Sequence, residues 1–192
     1  MFFQPFAKVL LKYLGIYHES FIDILISVRL NTEEIVFIAK GDIFPSYYDF
    51  LDKVFIGHLH ADHFGSLGEL FIGGALMGRQ KPLRIWGPKG PSPELGTAYA
   101  VQKLQEMYTW DLSGRVGLVD FRGYSIEVNE FDYKAENAVI YEENGVTIRS
   151  FPAIHSLDGP VSFSLEWNGL KFVFGSDTYP NTWFLKYAQD AD

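Results

Sequence analysis

The stretch "VFIGHLHADHFGSL", residues 54–67, decides how the rest of the chain is read. Val54, Phe55 and Ile56 are apolar and suited to a strand, and they run into three histidines and an aspartate confined to positions 58–63. The whole chain has five histidines, so most of its imidazole is spent here. On an extended segment residues i and i+2 point the same way, which lets His58 and His60 grip one cation from the end of a strand. The chain must then turn, and Asp62 and His63 arrive from the loop or first helical turn, placed for a second cation. Neutral imidazole and carboxylate suit zinc and admit manganese or iron. A single histidine is ordinarily a surface or satisfied core group, and His18 is read that way. Three of them beside an aspartate are not explained so simply.

A hydrolytic metal centre needs further ligands from elsewhere in the fold, and two candidates stand out. His155 ends a predicted strand in "SFPAIHSLDGP", and Asp177 ends another in "KFVFGSDTYP". Both sit where a strand gives way to a loop, the usual place for functional groups on a rigid scaffold. An aspartate there can bridge two cations through its two oxygens. Taken alone, Asp177 would be read as a turn residue or helix cap.

Outward from the cluster, "LDKVFIG" (51–57) is the strand that feeds it, and "EIVFIA" (34–39) is a short buried strand before a loop with Gly41 and Pro45. "GSLGELFIGGALMGRQ" (65–80) reads as a helix with a glycine-rich face, and "PLRIWGPKG" (82–90) as a strand with a turn after it. "TAYAVQKLQEMYTW" (97–110) is helical, with Ala98, Val101, Leu104 and Tyr108 on one stripe. "SIEVNEFDY" (125–133) and "VTIRSFPAIH" (146–155) alternate with a period of two. "VSFSLEWNGLKFVFGSD" (161–177) is the clearest hairpin, because Asn168-Gly169 favours a two-residue type I′ turn. Glu142-Glu143 before "NGVT" reads as a polar turn. The order implies a layered α/β protein with a largely antiparallel sheet rather than a doubly wound parallel one. No internal repeat or linker divides residues 34–192, which read as the N-terminal portion of one domain, while residues 1–33 read as an unplaced leader.

The totals narrow the function classes. With 192 residues, 47% hydrophobic and 21% charged, the chain can bury a real core. Its net charge of −8 gives no global attraction to nucleic acid or anionic membranes, and no DNA partner is expected. The absence of cysteine excludes disulfides, thiolate metal sites and a cysteine nucleophile. At the N-terminus, Val9, Leu10, Tyr13, Leu14 and Tyr17 fall at helical spacing, interrupted by Lys8 and Lys12. That pattern suits a core-facing helix or a non-native leader better than a membrane-surface helix, the segment makes a poor secretory signal, and with no membrane span in the sequence the cytoplasm is the expected compartment. Arg79, Lys81, Arg84 and Lys89 make one locally basic segment, read as a solvated face in preference to a phosphate contact. The four tryptophans, Trp86, Trp110, Trp167 and Trp183, are assigned to no site.

"HLHADH" matches at every fixed position the His-x-His-x-Asp-His signature of the metallo-β-lactamase superfamily, and the chain resembles that superfamily. His155 and the Asp177 of "GSDT" fall in the order of its next two motifs. The stretches "RIWGPKG", "NEFDY", "YEENGVTIRSFPAIHSLDGPVSFSLEWNGLKFVFGSDT" and "KYAQDAD" are similar to a tRNase Z-related branch that includes subclass-three β-lactamase activity. The likeness runs over about residues 51–192. It implies an αββα sandwich with two zinc ions at the rim between its sheets. His58, His60 and His155 would hold the first, Asp62 and His63 the second, and Asp177 would bridge. It further implies hydrolysis of a phosphodiester, as in RNA processing, or of a β-lactam or ester carbonyl, with Asp62 orienting the attacking water. The substrate is then an RNA or a small molecule, and a homo-oligomer is admitted. The family's last metal histidine and its general acid have no counterpart before Asp192, and the Asp-x-Gly that should precede the first motif is replaced by "FIAKGD". The sandwich is therefore expected to be incomplete at the C-terminus, and the alternative reading is an inactive metal-binding fragment or interaction domain.

Overall fold

The computed structural model describes residues 51–192 in full and, ahead of them, the backbone of residues 23–30 and 33–40. The N-terminal helical pattern around Val9–Tyr17, His18, and the Gly41–Pro45 loop lie outside the described residues. The described elements form two sheets. The first has the strand order β1 (Asp23–Leu30), β2 (Glu33–Lys40), β3 (Lys53–Phe55), β4 (Leu83–Pro88), β5 (Ile126–Phe131). The second is β6 (Ala138–Glu143), β7 (Val146–Pro152), β8 (Val161–Trp167), β9 (Leu170–Phe174).

Five of the seven strand pairings are antiparallel, as the sequence implies. The exceptions are β3 with β4 and β4 with β5, which run parallel. A parallel pair needs a crossover, and helices supply both. Between β3 and β4 lie α1 (Ala61–Phe64) and α2 (Leu67–Leu76); between β4 and β5 lie α3 (Thr97–Met107) and α4 (Thr109–Gly114). Within the stretch read as a leader, β1 pairs with β2 along its whole length.

Alternation along β3 and β4 builds two cores from one sheet. Val54, Ile56, Leu83 and Ile85 face the helices, packing with Leu67, Phe71, Val101 and Leu104. Phe55 and Trp86 face the second sheet and meet Tyr141, Val146, Ile148, Val161 and Phe163. The Phe55 and Trp86 rings stack with centroids 4.9 Å apart, and Tyr141 meets both edge-on at 5.5 and 5.1 Å. Beyond the second sheet, α5 (Thr182–Tyr187) lays Phe184 and Tyr187 against Phe151. The layers are therefore helix, sheet, sheet, helix, with the site at the rim where both sheets end.

Several local expectations change. Ala98 is exposed, and Thr97 takes its place on the buried face of α3, held by a hydrogen bond from its Oγ1 to the Pro88 carbonyl at 3.0 Å. Glu142 and Glu143 are the last residues of β6, and the turn is Asn144-Gly145 with φ of 55° and 80°. Asn168-Gly169 takes the same left-handed pair of conformations, 50° and 80°, as type I′ requires.

Arg79 is not on a solvated face. It is fully buried, and its guanidinium donates to the carbonyls of Leu70, Phe71 and Gly123 at 2.9–3.1 Å. Two of these acceptors lie on α2, and the side chain ties that helix to the Gly123 turn. Arg84 is also engaged, in a two-point ion pair with Glu143 at 2.6 and 3.2 Å that joins the first sheet to the second. Lys81 and Lys89 remain exposed.

Candidate metal centre

β3 delivers His58 to the rim, and backbone hydrogen bonds fix where it ends. Ile56 N–H donates to the Trp86 carbonyl at 2.8 Å, and Val161 N–H donates to the Gly57 carbonyl at 2.9 Å, which stitches the first sheet to the second. Gly57 has to be small, because a Cβ there would run into the Ser176 side chain. His60 then opens α1, whose first turn carries Asp62 and His63.

His155 and Asp177 come from two loops of the second sheet, and those loops are bound to each other. Ile154 N–H donates to Thr178 Oγ1 at 3.0 Å, and Tyr179 N–H donates to the Ile154 carbonyl at 2.7 Å. Buried Asn181 anchors the far side. Its Oδ1 caps α5 through Phe184 N–H at 2.8 Å, while its Nδ2 donates to Thr178 Oγ1 and the Tyr179 carbonyl. A loop–loop clamp therefore presents both residues to the cluster.

The structure brings all six sequence-nominated residues to one rim. His60 Nδ1 lies 3.1 Å from His58 Nε2 and 3.1 Å from His155 Nε2. His63 Nε2 lies 3.4 Å from Asp177 Oδ2 and 3.6 Å from Asp62 Oδ2. The same Asp177 oxygen is 3.9 Å from His155 Nε2, between the two groups. Two three-residue sets have donor atoms within 4.8 Å of one another: His58 with His60 and His155, and His58 with His63 and Asp177. Asp62 belongs to neither set and approaches only through His63. It stays on the outer edge, with a half-exposed side chain.

The donor chemistry fits a divalent cation. A tetrahedral zinc bound at about 2.0–2.1 Å holds its nitrogen ligands about 3.3 Å apart, close to the 3.1 Å separations seen. Burial, then the neighbouring His63 and His60, lower the His58 pKa from 6.5 to about 4, so this ring is neutral and has a lone pair to give near pH 7. Ser176 Oγ sits 3.2 Å from His58 Nδ1, which leaves Nε2 turned toward His60. Ser156 Oγ takes the corresponding place 3.4 Å from His60 Nε2.

Sequence reasoning missed these supports. Ser176 stands beside Asp177 in "GSDT" and holds φ of 54°, a conformation that asparagine or glycine more often adopts. Asn181 had a readable signal, an N-cap residue just before an apolar helix. A cleft of about 640 Å³ opens against His58, His60 and His155.

Comparison with known proteins agrees with this architecture. No family model matches the chain. It is 29% identical over 136 residues to the ribonuclease Z of Mycobacterium marinum, covering 68% of this chain and 45% of that protein. With the ribonuclease Z of Methanococcus maripaludis it shares 30% identity over 107 residues, covering 56% and 29% of the two chains. The chain thus spans less than half the length of these curated relatives. The solved structure of human tRNase Z, short form, superposes with a TM-score of 0.58 at 17% identity, over 90% of this chain and 74% of that one. The metallo-β-lactamase fold protein YhfI of Bacillus subtilis gives 0.50 at 17% identity, over 76% and 49%. The fold is that of the metallo-β-lactamases. In sequence the chain is similar to ribonuclease Z over about half to two thirds of its length.

Proposed function

We propose that the chain carries the metal-binding rim of a zinc-dependent hydrolase with two cations. The observation that carries this reading is the convergence of His58 and His60 on one sheet with His155 and Asp177 on the other, across a fold with no covalent reason to bring them together. His58, His60 and His155 would hold the first cation, and His63 with Asp177 would hold the second, with Asp62 joining it from the outer edge. When bound, such a pair of cations supplies hydroxide near neutral pH and stabilises negative charge that develops on the substrate.

The chain's own residues do the rest. Ser176 fixes the ring orientation of His58, and the Thr178–Ile154 clamp fixes His155. Asp62, on the exposed edge, accepts the hydrogen bond of the attacking water through its carboxylate and aims it at the electrophile. The named relatives support a phosphodiester of RNA as that electrophile, and the superfamily supports a β-lactam or ester carbonyl as the other. A mononuclear or metal-free interaction domain is the competing reading, and metal content separates the two. Reconstituted protein should hold two zinc ions per chain by elemental analysis and turn over a tRNA precursor, a chromogenic β-lactam or an ester. One ion or none, with no turnover of any of the three, contradicts the proposal.

A further inference from the structure

The cleft beside the candidate metal centre has a chemistry of its own. Its volume of about 640 Å³ lies within the range of small-ligand sites, and one wall is formed by His58, His60 and His155 themselves. The rest of the lining includes Phe64 at the end of α1, Pro88 at the end of β4, Leu95 just ahead of α3, Tyr99 and Met107 on α3, and Leu157 in the loop after His155. Four of these are large apolar side chains left in the open: Leu95 at 46% exposure, Tyr99 at 39%, Met107 at 67% and Leu157 at 57%. Scattered apolar exposure needs no explanation, but four such side chains around one concavity that ends on a cluster of imidazoles do.

The charges around the cleft point the same way. Among the described residues lining it, Lys103 is the one cation, and Glu106 engages its ammonium at 2.6 Å. Glu94 and Asp158 add two carboxylates to the lining, and neither belongs to the candidate ligand set. Beyond the metal centre itself, a polyanionic chain entering here would meet two carboxylates and a single lysine already engaged by Glu106. A neutral molecule with an apolar arm would meet matching surface.

We infer that this cleft is the seat of the substrate's apolar group, and that the chain acts on small neutral esters or lactones bearing an alkyl or aryl arm of several carbons. The inference rests on the hydrolytic reading above. His60 and His155 place the scissile ester at the inner end of the cleft, and the arm runs outward over Tyr99 and between Met107 and Leu157. Transfer of an arm from water is worth about fourfold per methylene when burial is complete, so selectivity should climb with arm length until the cleft is full.

The test has two arms, one of which needs no catalysis. Metal-free full chain is titrated with the neutral fluorescent probe N-phenyl-1-naphthylamine, with decan-1-ol as competitor. One displaceable probe per chain is expected, with affinity at least tenfold weaker in Leu157→Glu and in Leu95→Glu; both positions are exposed, so the fold should tolerate them. Zinc-loaded chain is then given 4-nitrophenyl acetate, butyrate and octanoate. The octanoate-to-acetate ratio of kcat/KM should exceed about tenfold and collapse in the same variants. Absent probe binding, or binding and chain-length ratios that both variants leave unchanged, overturns the inference. Probe binding that the variants abolish, together with no hydrolysis of any ester, overturns the ester substrate class, and turnover of a tRNA precursor or a β-lactam by the same zinc-loaded preparation would show that the hydrolytic reading survives it.

Discussion

His58, His60 and His155 meet ring to ring, with two nitrogen separations of 3.1 Å that share the exposed His60 ring, while His58 is buried. The other half of the rim is looser: His63 is buried, but its carboxylate neighbours stand 3.4 and 3.6 Å away, with side chains about half exposed. In the first group Ser176 and Ser156 approach the outer ring nitrogens of His58 and His60; the second relies on half-exposed carboxylates. Preorganisation is thus uneven across the site. That difference predicts a tight cation at the triple-histidine side and a weaker, exchangeable one at the His63 side.

The largest effect should come from breaking the better-formed half. His60→Ala removes the nitrogen that both other rings approach. It should lower turnover at least about a thousandfold, with the tight zinc equivalent lost in a competition titration against a chelator. Asp177→Asn should act differently, since Asp177 stands between the two groups. Zinc content is expected to fall from two per chain to one, with turnover down about a hundredfold, as measured by elemental analysis alongside rates. Equal loss of both ions from each variant would show that the two halves are not separable.

Smaller changes sharpen the contrast. Ser176→Ala leaves every proposed ligand in place but frees the His58 ring, and affinity at the tight site should weaken by about tenfold with little change at the other. Asn181→Ala removes the α5 cap and a partner of Thr178. It should cost about 1–2 kcal/mol in chemical denaturation, and the lost clamp should weaken zinc at the His155 side. Glu143→Gln tests the opposite end of the sandwich. The Arg84 hydrogen bond holds the Glu143 carboxyl below its ordinary range, so its contribution is present above the unfolded-state pKa and is lost as pH falls through the lower folded one. This partly exposed pair should be worth about 0.5 kcal/mol near pH 7, with the gap to wild type closing in acid and metal binding unaffected.

Local chemistry made the site legible in sequence. His58, His60, Asp62 and His63 are fixed relative to one another by a strand end and one helical turn, so spacing alone carries their geometry. His155 and Asp177 could be nominated from strand ends, but what joins them is the Ile154–Thr178–Tyr179 clamp, a tertiary arrangement that no spacing encodes. The two Asn-Gly hairpins make the same point. That at 168–169 is flanked by clear alternation and reads at once, whereas the identical turn at 144–145 is masked by Glu142 and Glu143, whose charges suggest a loop but are absorbed by Arg84 and the sheet edge. Arg79 misleads for the reverse reason: a cation is assigned to solvent unless the carbonyls that meet it, here those of Leu70, Phe71 and Gly123, are known to be waiting.

The most direct test is crystallographic, with zinc-soaked crystals of the chain and anomalous scattering measured on both sides of the zinc edge. A strong peak bonded at about 2.0–2.2 Å to His58 Nε2, His60 Nδ1 and His155 Nε2, with a weaker one against His63 and Asp177, is the expected result. Zinc found only on isolated surface residues, with the three imidazoles left bonded to each other, would contradict the account.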